Sequence, residues 1–194
     1  MRTSTGRRSA EDPFHLERET RYGTVTLAWS ARTGRPLITR VWLPRRRKRG
    51  GMRRHPQSLA PSRSGSSEID RAADDIQAFL DGENVRFRLD IADLAICTEF
   101  QRKVLRAEHR IPRGSVSTYR LIARHLGVER GARAVGGALA ANPFPIIVPC
   151  HRAIRSDRRP GGYQGGPAMK MALLEMEGIT FDGAGRAMVH DFYY

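Results

Sequence analysis

Acidic residues are few in this chain, cysteines fewer, and long apolar runs are missing. Only 20 Asp and Glu stand against 34 Lys and Arg over 194 residues, a formal charge of +14 with a pI near 11.1. Such an imbalance favours a polyanionic partner, nucleic acid ahead of a membrane surface. Two cysteines, Cys97 and Cys150, make neither a disulfide framework nor a four-thiolate metal site, and they fit a reducing compartment. No apolar stretch approaches the roughly 20 residues of a spanning helix, and the charged N-terminus has no signal-peptide core. A cytoplasmic protein is expected, or a nuclear one in a eukaryote. A hydrophobic fraction of 40% is enough for a packed core in one domain or two small ones.

In chain order, residues 1–19 are charged and lack a sustained apolar period, so they read as a mobile basic arm. Val25, Leu27 and Trp29 alternate as a half-buried strand, Thr33-Gly34 turns, and Leu37 to Leu43 returns as a second strand of a β-hairpin. The run Arg45-Arg46-Arg47-Lys48-Arg49, with Arg53-Arg54 beyond two glycines, opens a basic loop. Phosphate contact, nuclear import in a eukaryote, or plain solvation would each account for it. Ser67 is a candidate N-cap for a helix with Ile69, Ala72, Ile76, Phe79 and Leu80 on one face and Gly82 at its end. Val85, Phe87 and Leu89 then alternate as a further strand. Residues 20–90 thus predict a small α+β domain with a structural role, and 91–97 a linker to a C-terminal domain over 98–194.

That second half reads as more helical. Thr98 and Gln101 have the spacing of a capping box, and Phe100, Val104, Ala107 and Ile111 form a stripe that Pro112 and Gly114 end. Ser117 reads as the cap of a helix carrying Leu121, Ile122 and Leu126, and after Gly127 a third helical segment runs from about Arg130 to Ala140. Helix, glycine turn, helix is the outline of a helix-turn-helix, and also of many helix pairs in enzymes. Val135, Ala138 and Leu139 share the core side of the last segment, while Arg133, Gly136, Gly137 and Ala140 share the other. Adjacent helical glycines each cost about 1 kcal/mol relative to alanine, which calls for a close approach, either to another helix or to a narrow DNA groove. A major-groove reader would carry longer polar side chains, so this face suits the minor groove.

The chemistry concentrates in Ile146-Ile147-Val148-Pro149-Cys150-His151-Arg152, an apolar strand-like run ending in a thiol, an imidazole and a guanidinium. Basic neighbours would lower the thiol pKa and favour the nucleophilic thiolate, whereas a lone buried cysteine is more often structural.

The segments Arg133 to Ala138, Asn142-Pro143, Val148 to Arg152, Gly162-Tyr163, Gly165-Gly166, Lys170, Leu173-Leu174 and Glu177-Gly178 resemble the O6-alkylguanine-DNA alkyltransferases in order and spacing over residues 98–178. The resemblance implies an α+β protein with a small ribonuclease-H-like N-terminal domain and a mostly helical, winged-helix-like DNA-binding domain. It implies that Cys150 accepts an alkyl group from O6-alkylguanine in double-stranded DNA, stoichiometrically and irreversibly, with O4-alkylthymine a further candidate substrate. His151 would take the thiol proton through water, Glu177 would orient the imidazole, and Asn142 would buttress the cysteine turn. Tyr119 would donate to the guanine ring and help flip the nucleotide, and Arg133 would fill the gap left in the stack. Gly136, Gly137, Ala140 and Arg152 would face DNA, and Pro145, Val148, Tyr163, Gln164 and Gly165 would wall the pocket. Gln164 replaces a smaller residue and brings the acceptance of bulky adducts into question. A monomer without cofactor or metal is implied, since no cysteine precedes Cys97 to build the zinc site some members carry. Alkyltransferase-like lesion binders resemble this chain with tryptophan at the acceptor position, and a helix-turn-helix regulator would need base-reading side chains that the Arg133 face lacks.

Overall fold

The computed structural model describes residues 14–32, 34–46, 52–53 and 63–194, and its content is mixed α+β. Strands β1 (Phe14–Thr20), β2 (Gly23–Ser30) and β3 (Leu37–Trp42) form an antiparallel sheet in that order. The β2–β3 pair is the expected hairpin. β1 is new: residues 14–19 of the stretch read as an arm, together with Thr20, pair along β2 from Phe14 opposite Trp29 to Thr20 opposite Gly23. Residues 1–13 lie outside the described residues. Because β1 covers one edge of β2, the latter is central, and Thr26, Ala28 and Ser30 are buried along with Val25, Leu27 and Trp29. Arg45–Arg46 (β4) and Met52–Arg53 (β5) pair antiparallel, which makes the ends of the expected basic loop a short hairpin. Its remaining residues, 47–51 and 54, fall outside the described residues.

Helix α1 (Ser67–Asp81) turns the expected face, Ile69, Ala72, Ile76, Phe79 and Leu80, into the core. Its cap is Ser66, one residue before the expected Ser67, with the Ser66 hydroxyl accepting from the Ile69 amide; Gly82 at φ 114° ends it as expected. Residues 85–89 do not form the expected strand. Val85, Phe87 and Leu89 do point inward and pack against the core, but the free edge of β3 is already taken. Asp93 N donates to Ile38 O at 2.8 Å and Val41 N to Pro143 O at 2.8 Å, so the alternating segment does not join β3, and 3₁₀ turns follow at Leu89–Ile91 and Leu94–Ile96.

Helix α2 (Glu99–Arg110) is capped by Thr98, whose hydroxyl accepts from Gln101 N at 3.3 Å. The capping box is one-sided: the Gln101 amide reaches away to donate to Ala138 O and Ala141 O, each at 3.1 Å. Strand β6 (Ser117–Thr118) is followed by helix α3 (Tyr119–His125), and Thr118, rather than the expected Ser117, caps that helix. Ser117 instead sits in β6 and donates to Tyr193 O. Helix α4 (Ala132–Ala140) packs against α2 and α3. β7 (Ala153–Ile154) runs parallel to β6. Helix α5 (Pro167–Met176) starts with Pro167 in its first turn, and the hairpin of β8 (Thr180–Phe181) and β9 (Ala187–Met188) follows. One cluster of buried residues extends from Leu16 to Leu173, crossing 91–97, and a smaller one joins Val116, Ile154, Leu174, Ile179 and Ala187.

Candidate active site

The segment from Asn142 to Arg152 is a compact turn held from within. Asn142, 1% exposed, donates through Nδ2 to Val148 O at 3.2 Å and accepts at Oδ1 from Phe144 N at 2.9 Å. These bonds clamp both ends of a loop in which Ile146 has φ 76°, a conformation that a β-branched residue adopts only when its surroundings force it. Residues 146–148 are therefore not the strand that their apolar run suggests. Cys150, His151 and Arg152 form a 3₁₀ turn, so the rule that neighbouring side chains alternate across a strand does not apply to them.

His151 is fully buried, and its Nε2 lies 3.1 Å from Glu177 Oε1. Glu177, at the end of α5, also accepts from Arg152 Nε at 2.8 Å and Arg152 Nη2 at 2.6 Å. Burial would raise the Glu177 pKa, but the bonds from His151 and Arg152 win and bring it down to about 2. A carboxylate can only accept, so His151 Nε2 carries the hydrogen and Nδ1 keeps its lone pair. That Nδ1 is buried and makes no hydrogen bond among the described residues. Burial lowers the His151 pKa, opposed by Glu177. The imidazole is thus neutral at rest, with its basic nitrogen free.

Arg152, expected on the DNA face, is turned into the protein. Its fork grips Glu177, its Nη1 donates to Ile111 O at 2.6 Å, and the residue is 9% exposed. Cys150 also departs from expectation, because burial pushes its thiol up to about 12, with Asn142 and Lys170 pulling down and Glu108 pushing up. Neither His151 nor Arg152 activates it at rest.

Beside the sulfur lies a cavity of about 280 Å³ lined by Tyr119, Gly136, Leu139, Ala140, Cys150, Gly162, Tyr163 and Gln164. It joins residues from α3, α4, the cysteine turn and the 161–166 loop. Tyr163 and Gln164 line it as expected, but Pro145, Val148 and Gly165 do not. Val148 is fully buried in the cysteine turn and its carbonyl is engaged by Asn142, and Pro145 pairs with it in an isolated bridge. Gly165 faces a separate groove beside Thr20–Gly23, and a Cβ there would collide with Met169 Sδ. The Gln164 amide donates to Asn142 O at 2.6 Å and Ala140 O at 3.3 Å.

Arg133, Gly137 and Ala140 are exposed on α4. A Cβ added at Gly137 would meet nothing within 4 Å, and at Gly136 only Tyr119 Cδ1 at 4.0 Å. Internal packing therefore does not require these glycines, which leaves an approach from outside. Two buried charged residues have no role that the sequence reading supplies. Lys170 Nζ donates to Ala153 O at 2.6 Å, Gly162 O at 3.4 Å and Tyr119 OH at 3.5 Å. Glu108 lies fully buried on α2, where burial raises its pKa to about 8 against the pull of Lys170, Arg152 and the Ala153 backbone. The signal for Glu108 was its place one helical turn from Val104 and three residues from Ile111 on the apolar stripe. Among the described residues no cluster of three or more potential ligands could hold a metal, and no helix is long and apolar enough to cross a membrane.

Residues 99–179 match the family model for the 6-O-methylguanine DNA methyltransferase DNA-binding domain. A methylated-DNA–protein-cysteine methyltransferase of Methanothermobacter thermautotrophicus is 50% identical over 115 residues, 59% of this chain and 64% of that protein, so the match spans just under two thirds of its length. The protein of the same name from Mycolicibacterium paratuberculosis is 41% identical over 125 residues, 62% of this chain and 74% of that protein. The crystal structure of Mycobacterium tuberculosis OGT in complex with DNA superposes with a TM-score of 0.66 at 30% identity, covering 84% of this chain and 92% of that one. A buried thiol opening on a cavity beside a glycine-faced helix, backed by a carboxylate-held histidine, thus lies where sequence and fold both match, and the chain belongs to the methylated-DNA–protein-cysteine methyltransferase family.

Proposed function

We propose that the chain repairs double-stranded DNA by moving an alkyl group from O6-alkylguanine to Cys150, once per molecule. The observation that carries this reading is the placement of the Cys150 thiol on the wall of a cavity, next in sequence to a neutral His151 whose Nδ1 is unengaged. In the free protein the thiol stays protonated. With a base in the cavity, its proton passes through water to Nδ1, and the imidazolium so formed is stabilised by the Glu177 carboxylate 3.1 Å from Nε2. The sulfur then attacks the alkyl carbon in line, the carbon–oxygen bond breaks, and guanine departs. Tyr119, whose oxygen accepts from Lys170, has its own proton free to meet the departing anion. Burial raises its pKa to about 12, so it remains a neutral donor. The thioether has no leaving route, and no second thiol lines the cavity.

The substrate base is buried in a duplex and has to be turned out, at a cost of a few kcal/mol. The bare face of α4 supports an approach along the minor groove, with Arg133 standing in for the flipped base and Tyr119 crowding the backbone beside it. Gln164, bonded to the end of α4 and to the Asn142 hinge, narrows the cavity against bulky adducts. The three-stranded antiparallel sheet with α1 suits a ribonuclease-H-like N-terminal domain over 20–90, and α3, α4 and the β8–β9 hairpin suit a winged-helix-like domain over 98–194.

Incubation with an O6-methylguanine duplex, followed by intact-mass and peptide mass spectrometry, tests the reading. One methyl group per molecule is expected on Cys150 and none on Cys97, with no transfer by Cys150→Ser. Repeated turnover, or label on Cys97, would overturn it.

A further inference from the structure

The turn that leaves β7 carries Arg155, Arg158 and Arg159 around a single acid, Asp157. All four are exposed, and the transfer described above uses none of them. The place of the turn follows from the β6–β7 pair. Those strands run parallel with Thr118 opposite Ile154, so the next residue of each, Tyr119 and Arg155, leaves the same end of the pair side by side. Gly161 reports how close they lie: at φ 77°, a Cβ built on it would stand 3.3 Å from the Tyr119 hydroxyl and 3.4 Å from Arg155 Cγ. On its other side the Tyr119 ring reaches α4, where Cδ1 lies 4.0 Å from a Cβ built on Gly136. Tyr119 therefore stands between the bare face of α4 and the Arg155 side chain, and it lines the same cavity as Cys150.

The turn is closed by its own backbone. Arg155 N donates to Arg159 O at 3.0 Å, Arg158 N donates to Arg155 O at 2.9 Å, and Arg158 O accepts from Ala187 N of β9 at 2.8 Å. In the free protein the Arg155 fork lies on Asp157, with Nε donating to Oδ1 at 3.1 Å and Nη2 2.8 Å from Oδ2. The two side chains are 58% and 43% exposed, so the pair adds little to stability. A guanidinium that holds one oxyanion through two donors holds a phosphate by the same geometry.

We propose that Arg155 is a phosphate clamp for the nucleotide that enters the cavity: with DNA along α4, its fork exchanges Asp157 for a backbone phosphate beside the lesion, on the side of Tyr119 away from α4. The inference rests on the reading of the cavity as the place of a turned-out alkylguanine. A nucleotide turned past Tyr119 brings its flanking phosphates to this edge, where Arg158 and Arg159 add positive charge. Asp157 repels the same phosphates and keeps the fork occupied until one of them replaces it.

Removing the charge from each partner in turn tests the contact. In a Cys150→Ser background, where the lesion is not consumed, an O6-methylguanine duplex would be compared with duplexes in which each phosphate flanking the lesion is replaced by an uncharged methylphosphonate. Adding Arg155→Ala should weaken binding of the fully charged duplex by about tenfold and flatten its salt slope by about 0.9. Against the duplex that lacks the contacted phosphate, Arg155→Ala should cost nothing more. Arg155→Lys should keep the slope, because the charge remains, but recover only part of the affinity, because the fork is gone. Asp157→Asn keeps an acceptor for Arg159 N, now 3.2 Å from Oδ1, and should bind more tightly than the wild type. An unaltered salt slope in Arg155→Ala, or a loss of the same size whichever phosphate is neutralised, would overturn the proposal. These are binding measurements, so they decide the Arg155 contact even if the protein with Cys150 intact transfers no methyl group, a result that would instead refute the proposed function.

Discussion

Replacing Glu177 by Gln should separate the stability that this carboxylate supplies from the chemistry it supports. Three donors converge on it: His151 Nε2 at 3.1 Å, Arg152 Nε at 2.8 Å and Arg152 Nη2 at 2.6 Å. They hold its pKa at about 2 against an ordinary 4.5. At about 1.4 kcal/mol per pH unit, that gap amounts to about 3 kcal/mol. A depressed carboxylate stabilises the fold fully above its unfolded pKa, and the contribution disappears as pH falls from 4.5 towards 2. Glutamine keeps one acceptor but leaves the Arg152 guanidinium buried without a counter-charge. Stability at pH 7 should fall by about 3 kcal/mol, or roughly 6–12 °C in melting temperature for a chain of this size. Urea melts of both proteins at pH 7, 5, 4 and 3 would measure it. The difference should be constant from pH 7 to 5 and shrink below 4.5. An equal difference at every pH, or none at pH 7, would refute the electrostatic argument. Methyl transfer at pH 7 should fall as well, since the imidazolium loses its stabilising anion.

Arg133→Ala should repair duplex DNA slowly, lose less with a mismatched lesion and nothing with a free alkylated base, because less stacking has to be overcome in that order; equal losses on all three substrates, with a lowered melting temperature, would assign the arginine to packing. Neutralising the basic residues between Arg45 and Arg54 should weaken DNA binding regardless of sequence and flatten the salt dependence by about 0.9 for each phosphate no longer neutralised. Free-base transfer should be unaffected, and an unaltered salt slope would return the stretch to plain solvation.

What could be read from sequence was set by short-range periodicity. The inner face of α1 and the two sides of α4 follow from helical spacing alone, and both stand in the structure. Where neighbours distant in the chain decide, periodicity misleads. The segment Phe14–Thr20 is interrupted by Glu17, Arg18 and Glu19 and reads as an arm, yet it pairs along β2 because that strand would otherwise expose an edge. Val85, Phe87 and Leu89 alternate as a strand should, but Asp93 and Pro143 occupy the edge they would have joined. Ile146 to Val148 looks like a strand because the clamp that bends it, Asn142, adds no apolar signal.

Charge is harder to read, and two arginines show why. Arg152 and Arg133 are the same residue type, and the family resemblance implies a DNA-facing role for both. Arg152 follows two buried residues in a turn, and the end of α5 brings Glu177 within reach of its fork, so it becomes part of the wall behind His151. Arg133 lies in the first turn of α4, where no acidic residue accompanies it and no hydrogen bond or ion pair among the described residues holds it. A cation there opposes the helix dipole by about 0.3–1 kcal/mol. Its exposure, the two glycines beside it and the open space above Gly137 together leave the fold nothing to gain from it. Under the proposed repair function, a residue that costs the free protein stability on a face bare of side chains is accounted for by the negative charge that a DNA strand brings to the helix start.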